Sequence, residues 1–134
     1  IIFMNIPQTR EIKHRDDGFL VELYSERDFG IGSRPAHSYL VSIKPGKTRA
    51  KHYHEHKKEQ IFVVTGVVEV TLADTKTNKR SSVQLTNNGK NVPILEILPG
   101  IAHAIKNIGK EDAMLVVFSD SHDIEDTIKY AFED

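Results

Sequence analysis

The stretch GKTRAKHYHEHKKEQIFVVTG, residues 46–66, holds three of the chain's seven histidines, at the alternate positions His52, His54 and His56. Glu59 follows three residues later, and an apolar, β-branched run then closes on Gly66. A short run of this composition bounded by a glycine reads as a strand. Side chains on a strand alternate between faces. His52 and His54 therefore share one face, with Lys51 and Tyr53 on the other. Glu59 has the same parity as Ile61 and Val63, which turns a carboxylate toward a face that belongs to the core.

A carboxylate on a core face is costly unless it is paired or bound to a cation. Two adjacent histidines fill an apolar interior poorly. One divalent cation resolves both problems, because neutral imidazoles and a carboxylate are good ligands for zinc, iron, manganese, nickel or copper. A further ligand should come from another inward face. His103 qualifies: it follows the Pro99-Gly100 turn and shares a face with Ile105. A lone histidine in a strand is more often a satisfied core residue, and His14, His37 and His122 are read that way. His56 lies in the polar run 55–58, past the strand, and is a candidate ligand or substrate-facing residue.

Strand-like runs recur at residues 19–24, 38–44, 49–54, 60–65, 67–73, 81–85, 94–98, 102–107 and 113–118. The breaks carry turn chemistry: Gly30-Ile31-Gly32-Ser33, Pro45-Gly46, Thr65-Gly66, Thr77-Asn78, Asn87-Asn88-Gly89 and Pro99-Gly100. Many short strands at regular spacing, without long amphipathic helices between them, predict an all-β antiparallel sandwich or barrel. Only residues 123–132 read as a short C-terminal helix, with a cap at Asp123 and apolar residues at Ile124, Ile128 and Ala131.

A length of 134 residues, with 39% apolar and 28% charged residues, fits one globular domain over residues 1–134. The net charge of −1 argues against general affinity for nucleic acid or anionic membrane. With no cysteine there is no disulfide and no thiolate ligand, so any metal is held by His, Asp, Glu or backbone oxygen. No apolar stretch is long enough to span a bilayer. Ile1-Ile2-Phe3-Met4 is too short for a secretion signal, and the expected location is the cytoplasm.

The two histidine-bearing stretches resemble the motifs of the cupin superfamily. The first motif is Gly, five residues, His-x-His, three or four residues, Glu, six residues, Gly, and it is met by Gly46, His52, His54, Glu59 and Gly66. In the second, Gly100, His103 and Asn107 stand at the family's intervals, while Leu98 occupies the usual proline position and Pro99 follows it. The resemblance covers residues 18–119 and implies a single cupin-type jelly-roll barrel. By it, His52, His54, Glu59 and His103 match the metal ligands. A narrower similarity, carried by RDDGFLVELY (15–24), the 46–66 stretch and LPGIAHAIKNIGKEDAMLVVFSD (98–120), is to cupins of surface-polysaccharide and deoxysugar pathways. These include the C-terminal domain of capsular-polysaccharide assembling proteins, which binds zinc and epimerises a nucleotide-linked keto-sugar. They also include the metal-free rhamnose-pathway epimerases, whose Arg-x-x-His-Tyr pattern is similar to Arg49–Tyr53. There the histidine is the base. Here the matching residue is His52, a metal ligand by the first motif, so the zinc-dependent version is the nearer analogue.

The resemblance implies a metal-dependent epimerase or isomerase acting on a nucleotide sugar, with zinc the expected ion. Such chemistry needs a proton carrier, and His56 and Tyr39 are the candidate catalytic residues. Arg49 and Lys44 are candidates for holding a diphosphate at the cavity mouth. Rival readings are a metal-dependent dioxygenase, a sugar- or anion-binding module without turnover, and a metal that only pins the barrel. Cupins often pair through sheet edges, so a homodimer is expected, with the apolar segment 1–6 available as an added strand.

Overall fold

The computed structural model describes residues 8–24, 35–121 and 125–132. The expected turn at 30–33, the apolar segment 1–6, His122, Asp123 and Ile124 lie outside the described residues. Twelve strands appear in them: β1 (Gln8–Glu11), β2 (Lys13–Arg15), β3 (Gly18–Leu20), β4 (His37–Ile43), β5 (Thr48–Tyr53), β6 (Glu59–Thr65), β7 (Val67–Asp74), β8 (Arg80–Thr86), β9 (Asn91–Ile97), β10 (Ile101–Asn107), β11 (Ala113–Ser119) and β12 (Ile128–Lys129). They form two five-stranded antiparallel sheets, β1-β9-β6-β11-β4 and β12-β5-β10-β7-β8, with a small β2-β3 hairpin. Consecutive strands repeatedly cross between sheets, which makes the fold a cupin-type jelly roll. No helix among the described residues is long and apolar enough to cross a membrane.

The alternation in the sequence becomes the interior. Ile61, Val63, Val68, Val70, Leu72, Leu95, Ile97, Ile105, Leu115 and Val117 interlock between the sheets. Along β11 the burial alternates from Ala113 to Ser119. β6 is different, because its first five residues are all buried. Its outward Phe62 joins Ile12, Val92 and Ile94 in a second apolar cluster, against which Val21, Leu23, Val116 and Phe118 pack. The continuous apolar run in β6 is what a strand covered on both faces requires.

Three expectations need correction. The C-terminal helix is absent from residues 125–132, where the chain is extended and Ile128 and Lys129 pair with Tyr53 and His52. Side-chain and backbone partners on the β5 edge outweigh a weak helical pattern that has few apolar positions. The strand expected over 19–24 stops at Leu20, because Val21 and Leu23 turn onto the second cluster instead of continuing the hairpin. His14 is not a core residue: it is exposed and contacts the Gly89 carbonyl at 2.7 Å. His37 is half-buried beside the Tyr39 ring.

Two turns set the geometry of the site. Gly66, with φ +98°, carries the chain from β6 in one sheet to β7 in the other, and a Cβ there would meet Ala113 Cα at 2.8 Å. Gly100, with φ +84°, donates its amide to the His54 carbonyl at 2.7 Å and so ties the start of β10 to the end of β5. Asn107 closes the other end of β10. Its amide nitrogen donates to Ile43 O and Glu111 O, and its Oδ1 accepts from Gly109 N. Gly66→Ala combines left-handed backbone with a backbone clash and should cost about 2 kcal/mol or more of stability. A urea midpoint equal to that of the unsubstituted protein would contradict this packing.

Candidate metal centre

β5 and β10 lie side by side with His103 opposite His52. One residue beyond β5, His54 turns into the same space, held by the Gly100 amide on its carbonyl. Glu59 opens β6 in the facing sheet and is 1% exposed. One ligand-type nitrogen from each of His52, His54 and His103 falls within 4.8 Å of the other two. The rings of His54 and His103 are buried, and that of His52 is half-buried.

The hydrogen bonds fix which nitrogens are free. His54 Nδ1 lies 2.6 Å from the Asp126 carbonyl, and His103 Nδ1 lies 3.2 Å from the Ile101 carbonyl. A carbonyl oxygen only accepts, so in both rings Nδ1 carries the proton. In the neutral ring Nε2 then presents a lone pair. His54 Nε2 is buried and has no hydrogen-bond partner. It lies 3.4 Å from Glu59 Oε1, and His103 Nε2 lies 4.0 Å from the same oxygen. Lone pairs converging on a carboxylate oxygen repel one another unless something positive sits among them. The donor set and the orphaned buried nitrogen both fit a divalent cation.

The other carboxylate oxygen is already satisfied. Glu59 Oε2 accepts from Tyr39 Oη at 3.0 Å and from Ser119 Oγ at 2.7 Å. Burial alone would raise the Glu59 carboxyl, but a His54 ring when protonated and the Ser119 hydroxyl outweigh it and hold the group at about 2. Burial also pushes His103 down, to about 4, with the neighbouring His52 adding to the shift. His52 is lowered by burial and by His54. Tyr39 is raised, first by burial and then by the charge of Glu59, so its hydroxyl keeps its proton.

These groups open onto a cavity of about 100 Å³. His52, His103, Glu59 and Tyr39 are polar lining residues, and Val41, Ile43, Ile61, Ile105, Leu115 and Val117 give an aliphatic lining. Arg49 also lines it, against strict alternation from His52. The cause is a bulge: the register slips so that Ala104 faces Ala50 and Ile105 faces Arg49, with Ala50 and Lys51 at φ 75° and 61°. That slip returns Arg49 to the cavity side, as bulges commonly re-aim side chains.

Not every candidate residue meets there. Tyr39 and Arg49 line the cavity, while His56 and Lys44 are exposed and do not. The His56 backbone amide is instead held by Asp126 Oδ2. Two neighbours of the site went unnoticed in the sequence, Ser119 and Asp126. Ser119 was legible, since it continues the inward series Leu115, Val117. Asp126 was not, because it acts across about seventy residues of chain and has no local pattern.

An antiparallel jelly roll with three histidines clustered on two adjacent strands is a cupin-type fold. The chain belongs to the family described as the polysaccharide biosynthesis C-terminal domain, whose model matches residues 14–128. It is 29% identical over 102 residues to a UDP-2-acetamido-2,6-beta-L-arabino-hexul-4-ose reductase of Pseudomonas aeruginosa, covering 76% of this chain and 25% of that protein. The capsular polysaccharide assembling protein CapF of Staphylococcus aureus has a similar fold, with TM-score 0.66 and 21% identity over 92% of this chain and 34% of that one. So does the dTDP-6-deoxy-D-glucose-3,5-epimerase RmlC of Legionella pneumophila, solved in complex with dTDP-4-keto-L-rhamnose. Its TM-score is 0.77, with 18% identity over 96% of this chain and 74% of that one. The chain thus spans about a quarter of the reductase and about a third of CapF.

A pH dependence follows for protein stripped of metal. His103 binds a proton more weakly folded than unfolded, so its cost is absent above pH 6.5 and grows as pH falls toward 4. That amounts to roughly 3 kcal/mol. His52 adds to it with the same sign. Glu59 contributes stability above about pH 4.5 that is lost as pH falls toward 2. Urea unfolding in chelator at pH 7, 5.5 and 4.5 should show a steady decline, and a flat profile would contradict these buried states.

Proposed function

We propose that His52, His54, His103 and Glu59 hold one divalent cation, with zinc the expected ion, and that the site moves a proton next to a ketone on a nucleotide-linked sugar. The observation that carries this reading is the convergence of the free His54 and His103 nitrogens on one oxygen of a buried carboxylate, at 3.4 and 4.0 Å. A bound divalent cation supplies Lewis-acid stabilisation of negative charge developing on a carbonyl oxygen.

The chain's own residues supply the rest. Tyr39 reaches the cavity and its hydroxyl donates to Glu59 Oε2 at 3.0 Å, so we assign it the return of a proton to the substrate carbon, with the proton first removed from that carbon passing to solvent water and Tyr39 reprotonated from solvent. A base at neutral pH is the role its raised pKa excludes. His56, exposed and outside the cavity, is the weaker candidate. Arg49 stands exposed at the cavity and suits a diphosphate, because guanidinium pairs with phosphate oxygens in a two-pronged manner. Lys44 does not line the cavity and suits that role less well. The volume of about 100 Å³ is small beside ordinary ligand pockets of roughly 300–1,000 Å³. The cavity therefore suits the reacting end of a sugar, with the nucleotide outside it. The epimerase neighbour, crystallised with a keto-sugar nucleotide, supports the same substrate class. A homodimer is also expected: β4 is a sheet edge and carries Leu40, 62% exposed.

Metal-loaded protein incubated with nucleotide-linked 4-keto sugars in deuterated water should exchange the proton beside the ketone. Tyr39→Phe should slow that exchange about 100-fold or more while leaving the metal bound. Binding without exchange across such substrates would leave only a non-catalytic sugar-binding role.

A further inference from the structure

We infer that residues 125–132 form a positioning strap for the metal centre, and that cation binding and docking of this strap stabilise each other. The inference rests on reading the histidine cluster as a cation site. Its basis is the number of separate holds that this short segment has on the elements carrying the ligands.

The connection between His54 and Glu59 is residues 55–58, and its amides point at carboxylates from the far end of the chain. Asp126 Oδ1 accepts from Glu55 N at 2.6 Å, and its Oδ2 accepts from His56 N at 2.9 Å and Lys57 N at 3.0 Å. Asp120 Oδ1 takes the next amide, Lys58 N, at 2.9 Å. Four consecutive amides thus depend on two acids. The Asp126 main chain meanwhile accepts from His54 Nδ1 at 2.6 Å, which sets the ring so that Nε2 faces the cluster. Two residues on, β12 pairs Ile128 with Tyr53 and Lys129 with His52, and Tyr130 N donates to Lys51 O at 3.0 Å. The strap therefore grips the strand of His52, the ring of His54 and the turn leading to Glu59.

Asp126 is 5% exposed, although it is an acid. Hydrogen bonds from backbone amides to a carboxylate are charge-assisted and strong. Burial would raise this carboxyl, yet the three amides hold it below the usual range. A group that orients a ligand histidine typically governs metal affinity by about 10- to 100-fold. Since coupling is reciprocal, whatever the strap adds to metal affinity, the metal returns to the docking of the strap. Asp126 is a positioning residue in this account: it acts through His54 and the 55–58 turn and does not touch the reacting atoms.

The test uses the whole chain, with zinc or cobalt as the probe. Calorimetric titration of the unsubstituted protein at pH 7 should give one site. Asp126→Ala, checked for native circular dichroism, should lose about tenfold or more in affinity, and Asp126→Asn should recover part of it. Hydrogen exchange on the unsubstituted protein should slow at the Glu55, His56, Lys57 and Tyr130 amides when metal is added, a readout that needs no variant. A folded Asp126→Ala or Asp126→Asn protein with unchanged affinity would overturn the inference, because a strap that only covers a sheet edge costs stability and leaves affinity alone. So would metal binding that leaves those four amides unaltered. An unsubstituted protein that binds neither ion would overturn the cation reading itself, and the strap inference with it.

Discussion

The burial of one carboxylate among three imidazoles is the constraint on which the rest of the structure depends. Glu59 is nearly inaccessible and sits at the start of a strand whose middle, Ile61 to Val64, is apolar. Such a group is tolerated only where each oxygen has a partner. Tyr39 and Ser119 satisfy Oε2. Oε1 is left facing Nε2 of His54 and of His103 at 3.4 and 4.0 Å, while Nδ1 of each ring faces a carbonyl. A cation at its centre, as proposed, would complete the arrangement. The surrounding architecture reads as the means of holding four side chains from two sheets around that point.

The elements that do so are mostly turns. Gly66 lets β6 fold back against Ala113 at a distance that no side chain permits. The Gly100 amide ties the second histidine-bearing strand to the carbonyl of His54. Asn107 anchors the far end of the same strand to β4 and to the following turn. Gly66, Gly100 and Asn107 thus each have a mechanical task, and together they fix His103 beside His52.

Much of this was legible in the sequence because strand alternation is local. Parity along residues 60–65 and 102–107 is enough to turn Glu59 and His103 inward, and β-branched runs between turn residues are enough for an all-β fold. What escaped was non-local. The bulge at Ala50 and Lys51 breaks alternation, and no local glycine announces it, so Arg49 reaches the cavity by a route that parity forbids. Residues 125–132 carry a faint helical pattern, yet they lie extended because Asp126 finds three amides some seventy residues away. The β1 strand, Gln8–Glu11, has no apolar alternation, since an exposed edge strand needs none. In each case the deciding partner was brought near only by the fold.

The central claim is that these four side chains form one cation site, and X-ray absorption at the metal edge of zinc-loaded protein examines it most directly. The account predicts one zinc per chain with a light-atom shell containing three imidazoles, visible by their outer-shell scattering, and one carboxylate oxygen. His103→Ala should remove one imidazole from that shell. A shell of water and carboxylate without imidazole scattering, or one unchanged by His103→Ala, would contradict it.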